Sequence, residues 1–229
     1  MTRSYTLAIE GATYQGSVAL IRDSKVVAER TLTAEDGGTP RAGRGERLMP
    51  AVAECLAEAG AGRGEIARIV CGSGPGSFTS LRVAGSVAKG LAVGYGVELY
   101  AVSSLLLTAS GARPSLPIGE YLSVLDAMRG EFFAARITIG PGGVAIQAEP
   151  ATILSAERLS DLSIREPALR IVGPGRDIEA YPHARGVAPI LASVIEAGPV
   201  DLAAWGPDYG RLAEAQVRWE AAHGRPLAT

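Results

Sequence analysis

The chain has 229 residues, 47% of them hydrophobic, with 22 Lys plus Arg against 24 Asp plus Glu and a formal net charge of −2. That length supports one large domain or two small ones with real cores. The near-neutral balance excludes a stand-alone nucleic-acid binder working through counterion release, though not a protein that meets RNA through a partner.

The two cysteines, Cys55 and Cys71, lack the paired spacing of a disulfide framework or a zinc site, so a reducing cytoplasm is the expected compartment. The N-terminus carries no long apolar core of the signal-peptide kind, and no apolar run is long enough to span a bilayer. No membrane is expected.

In chain order, YTLAIEG (5–11), SVALIR (17–22) and KVVAERTL (25–32) read as a three-stranded meander, the last two strands joined by Asp23-Ser24. The polar, glycine-rich segment 35–46 reads as a loop. Over 46–59, Leu48, Met49, Val52 and Leu56 fall on one helical face, and Pro50 is tolerable because it sits in the first turn. IARIVCG (66–72) reads as a buried strand, 79–94 as a helix, VELYAVS (97–103) as a strand and 104–111 as a helix.

After the loop GARPSLPIG (111–119) the opening theme returns over 120–150: a strand ending in an acid, a glycine-containing turn, a second strand, a tight turn and a third strand. Glu10 and Asp126 are the two acids, followed by Gly16 and Gly130. A helix over 155–161, a strand over 169–175, a helix near 187–197 and a terminal helix from about Tyr209 to His223 complete the pattern. Two such units in tandem predict an α/β, duplicated ribonuclease-H-like fold of the actin and hexokinase type, with lobes at 1–103 and 104–229. In those proteins the acid-bearing first turn of each half faces nucleotide phosphates, an analogy of fold and not of function.

The stretch CGSGPGSFTSLRVAGSVAKGLAVG (71–94) carries the most information. Its turn, Gly72, Gly74, Pro75, Gly76, Ser77, Phe78 and Thr79, fails three chemical templates. A P-loop needs Lys-Ser/Thr after its last glycine, a dinucleotide fingerprint a third glycine where Ser77 stands, and a hydrolase elbow glycines two residues either side of the serine. A strand-to-helix turn capped by Ser77 or Thr79, or an anion site at the helix N-terminus, remain.

The following helix carries only Arg82 and Lys89 as charges. Ala84, Ala88 and Ala92 form one small-residue ridge, and Ser86, Gly90 and Gly94 another. Too little polar face remains for a surface helix, so either the chain's own second half or a partner covers it. Catalytic candidates are thin. His183 and His223 lie far apart and read as surface or capping histidines, and no nucleophile, base or metal cluster joins Glu10 and Asp126.

These segments resemble one family. CGSGPGSFTSLRVA (71–84) is similar to the glycine block of the TsaB (YeaZ) proteins, and EGATYQGSVAL (10–20), GERLMPAV (45–52), VSSLLLTA (102–109), LDAMRGEFFAA (125–135) and PDYGRLAEAQVRWE (207–220) match in order. The resemblance implies a two-lobed protein of the actin-like ATPase class without catalysis or metal of its own. It would support TsaD in making threonylcarbamoyladenosine on tRNA, with TsaE joining the assembly. It also implies tRNA contact only through the complex, a homodimer when alone, and ATP or ADP only at the partner interface. The implied pairing surface is Leu81, Arg82, Ala84, Gly85, Ala88, Lys89, Leu91 and Ala92, with Leu48, Met49, Val52 and Leu56 of the preceding helix. The chain departs from the family pattern at Glu10-Gly11, where Asp-Thr is usual, at Ser80 in place of glycine, and at RGE (44–46), which lacks a histidine. The first departure argues against phosphate or magnesium in the first lobe, and Glu10 and Asp126 are read as vestigial phosphate turns. A peptidase-like metalloenzyme is the alternative, and a sugar-kinase-like phosphotransferase a third reading.

Overall fold

The computed structural model describes residues 3–32, 47–211 and 222–224. Strands β1 (Tyr5–Glu10), β2 (Ser17–Arg22), β3 (Lys25–Thr31), β4 (Ile66–Gly72) and β5 (Glu98–Val102) form a sheet ordered β3-β2-β1-β4-β5. The meander pairs antiparallel and the β1-β4-β5 half parallel. Asp23 and Ser24 both take positive φ, 51° and 57°, the conformation a two-residue hairpin needs to match strand twist.

Helix α1 (Leu48–Glu58) links β3 to β4, and α2 (Phe78–Tyr95) links β4 to β5. Pro50 lies in the first turn of α1. Gly96, left-handed at φ 60°, ends α2, with Val97 N–H on the Ala92 carbonyl and Gly96 N–H on that of Val93.

Helix α3 (Ser104–Ser110) leads to β6 (Gly119–Asp126), β7 (Glu131–Ile139), β8 (Ala145–Ile146), β9 (Thr152–Ser155), α4 (Ala156–Arg165), β10 (Arg170–Gly173), β11 (Ile178–Glu179) and α5 (Val187–Glu196). The second sheet runs β11-β10-β6-β7-β8, with β9 also on β7. Read from β8, it repeats the order and the parallel–antiparallel division of the first sheet. The fold is the duplicated α/β architecture, with two sheets forming two lobes.

Several expected elements differ. The third strand of the repeat is only the two-residue β8, α4 runs longer than 155–161, and β9 and β11 were not foreseen. Tyr209–Arg211 is not helical, and most of the expected terminal helix, like the loop 35–46 and RGE (44–46), lies outside the described residues.

Strand β1 is buried along its whole length. Leu7 and Ile9 face α1 and α2, while Ala8 faces the seam between the lobes. That seam is one core: Val70, Leu81 and Tyr100 meet Leu105, Phe133, Ile137 and Ile190. Polar bonds tie it as well. Ala184 N–H donates to Ser17 Oγ at 2.9 Å, and the His183 ring bonds Thr31 Oγ1 at 2.9 Å. His183 is therefore a buried cap, not a surface residue, accepting Arg185 N–H at Nδ1. Burial first, then Arg185 and Arg113, push its pKa down to about 3, so it is neutral.

Candidate functional site

Helix α2 has two unlike faces. Leu81, Ala84, Gly85, Ala88, Leu91 and Ala92 are buried. A Cβ placed on Gly11 would sit 2.6 Å from the Ala84 Cβ, so the helix lies directly on the end of β1, and the threonine usual at that place would not fit. Gly85 lies beneath Pro207 and Trp205. These six residues were expected to meet a partner and instead meet the chain's own core. Close helix–sheet approach is what the small side chains of Ala84, Ala88 and Ala92 permit.

The other face is exposed: Ser86, Gly90, Val93 and Gly94, with Val83 and Val87 half-buried beside them. Val93 is 71% exposed, and a Cβ on Gly90 or Gly94 would meet nothing within 4 Å. Both charges are held against rings at the margins, Arg82 over Phe78 at 5.4 Å and Lys89 over Trp205 at 5.7 Å. An uncharged stripe of valine, serine and glycine remains.

Helix α1 divides likewise. Leu48, Ala51, Val52 and Cys55 are buried, so Leu48 and Val52 are core residues and not part of an outer surface. Met49 is exposed at 47%, and Leu56 is half-buried. The expected face was one residue out of register, because Ala51 and Cys55 carry the inward stripe.

The glycine turn is closed by the chain itself. Asp208 N–H donates to Ser73 O at 2.7 Å, and a Cβ on Gly74 would fall 2.0 Å from the Asp208 carbonyl oxygen. The Tyr209 ring packs on that of Phe78 in a tilted contact, with centroids 4.4 Å apart. A Cβ on Gly210 would strike Phe133 of the second lobe and Pro75 of the first, and Arg211 pairs with Glu131. Gly76 packs against Ala12, whose carbonyl accepts Ser77 N–H at 2.7 Å. Ser77 occupies the N-cap position, yet its hydroxyl accepts from Ser80 Oγ and caps nothing, while Thr79 is exposed. The block is a strand-to-helix turn shaped to receive Pro207–Gly210. That role was missed in sequence, although Asp208 and Gly210 form an Asx turn whose residue types signal it.

The two first turns differ. Glu10 is fully enclosed: its carboxylate accepts Ala12 N–H and the Ser104 hydroxyl, the latter at 3.0 Å to Oε2. A Cβ on Gly72 would come within 1.8 Å of Oε2, so glycine there makes room for the acid. Burial pushes the Glu10 carboxyl up to about 7, against the opposing pull of Ala12 N–H, Ser104 and Gly11. Asp126 is exposed and accepts Met128 N–H at 2.7 Å. Glu10 is thus an internal brace, and the acids are not presented together to a ligand. Burial also raises the Cys71 thiol well above its usual range and that of Cys55 to about 11.

Among the described residues no group of three or more His, Cys, Asp or Glu is arranged to hold a metal ion, and no helix is long and apolar enough to cross a membrane.

A family model described as TsaD, tRNA N6-adenosine threonylcarbamoyltransferase, matches residues 26–182. The chain is 32% identical over 151 residues to the tRNA threonylcarbamoyladenosine biosynthesis protein TsaB of Escherichia coli (strain K12), covering 66% of this chain and 62% of that protein. It is 27% identical to the TsaB of Bacillus subtilis (strain 168), covering 93% and 96%. The chain belongs to this family, on its TsaB (YeaZ) branch. Among solved structures, YeaZ from Pseudomonas aeruginosa superposes with a TM-score of 0.74 at 26% identity, covering 90% of this chain and 99% of that one. These relatives favour the tRNA-modification family over a peptidase-like metalloenzyme.

Proposed function

We propose that this chain is the non-catalytic subunit that supports a TsaD-type transferase in placing threonylcarbamoyl on the adenosine beside the tRNA anticodon. It pairs with that subunit through the outer face of α2 and with a second copy of itself when alone. TsaE joins the same assembly, tRNA is met only through the complex, and the work is cytoplasmic.

The observation that supports the pairing is the uncharged outer stripe of α2, with Gly90 and Gly94 four residues apart and Val93 exposed beside them. Glycine at that spacing lets two helix axes approach to about 8 Å, the short end of the usual range. The chain holds no nucleotide of its own, and ATP or ADP binds only at the partner interface. In support, Pro207–Arg211 occupies the mouth between the lobes at the glycine turn, and Glu10 is sealed behind Gly72.

Two experiments test the reading. The isolated chain, given threonylcarbamoyl-adenylate and tRNA, yields no modified nucleoside until the TsaD-type subunit is added; robust modification without it refutes the assignment. Gly90→Glu leaves a folded monomer but lowers pairing affinity at least about a hundredfold, because an unpaired charge buried at an interface costs about 3–5 kcal/mol. Ala88→Glu, on the inner face, unfolds the lobe. Sedimentation and circular dichroism separate the two, and a Gly90→Glu chain that still pairs places the interface elsewhere.

A further inference from the structure

On the side of the molecule away from the glycine turn, a cleft of about 410 Å3 opens between the lobes. Ser24, from the β2–β3 turn, forms one wall. Arg113 and Ser115, from the loop after α3, form another, and Gly142 and Arg185 are among the other residues that line it. None of the described residues lining it is acidic.

The cationic wall is built, not incidental. Arg185 Nε donates to the Gly111 carbonyl at 2.8 Å, which fixes the plane of its guanidinium. Its Nη1 and that of Arg113 both converge on Glu29 Oε1, at 3.2 and 2.8 Å. Two guanidinium groups thus share one carboxylate oxygen, leaving an excess positive charge beside the cleft. His183, next to them in the seam, is held neutral and adds nothing to that charge. Arg113 keeps 60% of its side chain exposed, so its fork remains open to a ligand that brings negative charge.

We propose that this interlobe cleft is a binding site for a small anionic group, a carboxylate or a phosphate, held by Arg113 and Arg185. Bidentate geometry suits both anions, and the Ser24 and Ser115 hydroxyls supply further donors from opposite lobes. A ligand so held bridges the β2–β3 turn of the first lobe and the α3–β6 loop of the second. The site is independent of the α2 face and of the assembly proposed above.

The test titrates the full chain with inorganic phosphate and, separately, with acetate in chloride-free buffer, followed by calorimetry and thermal melting. One-site saturation at millimolar concentration or below, with a rise in Tm, is the expected result. Stronger binding of phosphate assigns a phosphoryl ligand, and stronger binding of acetate a carboxylate. Arg113→Gln weakens binding at least tenfold, and Ser115→Asp, which puts a fixed carboxylate into the cleft, abolishes it. Arg158→Gln, on the exposed face of α4, leaves binding unchanged. Circular dichroism establishes that each variant is folded; if Arg113→Gln is not, Ser115→Asp carries the comparison. Absence of saturable binding by both anions, or binding that survives both cleft variants, overturns the proposal.

Discussion

The two lobes share a strand order and differ in what they did with it. In the first, an 18-residue helix crosses between β4 and β5, and the acid ending β1 is sealed beneath the turn that starts that helix. In the second, only the residues between Gly173 and Ile178 connect β10 to β11, and the acid ending β6 stands in solvent. Duplication of a sheet therefore preserves topology without preserving chemistry. A carboxylate at the same strand end becomes a buried brace where a helix covers it and a turn-former where none does. Among the described residues it also leaves only the first lobe with a helix as long as α2, whose far side is exposed.

The widest gap between the lobes should come from their glycines. Gly72→Ala drives a methyl into the Glu10 carboxylate, which Ala12 and Ser104 hold in place. A loss of about 3 kcal/mol or more is expected, read as the shift in urea midpoint. Gly130→Ala, in the turn that follows Asp126, meets no atom within 4 Å and suffers only its positive φ of 75°, for about 1–2 kcal/mol. Equal costs would break the contrast drawn here.

Next is the pH dependence of the buried acid. The folded chain holds the Glu10 proton up to about 7, above the ordinary value of 4.5, so the folded state binds more protons than the unfolded one between those values. Glu10 therefore costs nothing below pH 4.5, costs progressively more as pH rises to about 7, and levels off above. The total is on the order of 3 kcal/mol at about 1.4 kcal/mol per pH unit. Glu10→Gln escapes this penalty, so its stability relative to the parent chain should climb by up to that amount from pH 4.5 to pH 8. Comparing the two chains at each pH cancels His183. The neutral His183 contributes in full above pH 6.5 and loses its contribution as pH falls towards 3, the opposite sign. A difference that stays flat across this range would show the carboxyl to be solvated.

The smallest effect belongs to the exposed acid. Asp126→Ala removes one hydrogen bond to Met128 N–H, at most about 1 kcal/mol by thermal melting. A cost matching that of a buried group would mean that the second first turn is as constrained as the first.

How much of this was legible follows from the range of the signals. Periodicity and turn chemistry are local. The Asp23-Ser24 hairpin, the Gly96 stop of α2 and the repeated strand-acid-turn-strand theme could therefore be read along the chain, and they yield the duplicated fold. The glycine block, PDYG and LDAMRGEFFAA, read together, sufficed for the family. The sequence by itself also showed that α2 has two small-residue ridges and too few charges for a solvent-facing helix.

Which ridge faces outward was a tertiary decision. Both are equally small, and only the position of β1, where Gly11 touches Ala84, turns the alanine ridge inward and the glycine ridge out. The same holds for α1, where Ala51 and Cys55 proved as apolar as the larger residues that drew attention. Glu10 looked like a phosphate-turn acid because its partners, Gly72 and Ser104, lie 62 and 94 residues away. Pro207–Gly210 likewise acquires a role only when folding carries it more than a hundred residues back to Gly74. Burial depends on which distant surfaces arrive, and residue type along one element does not record it.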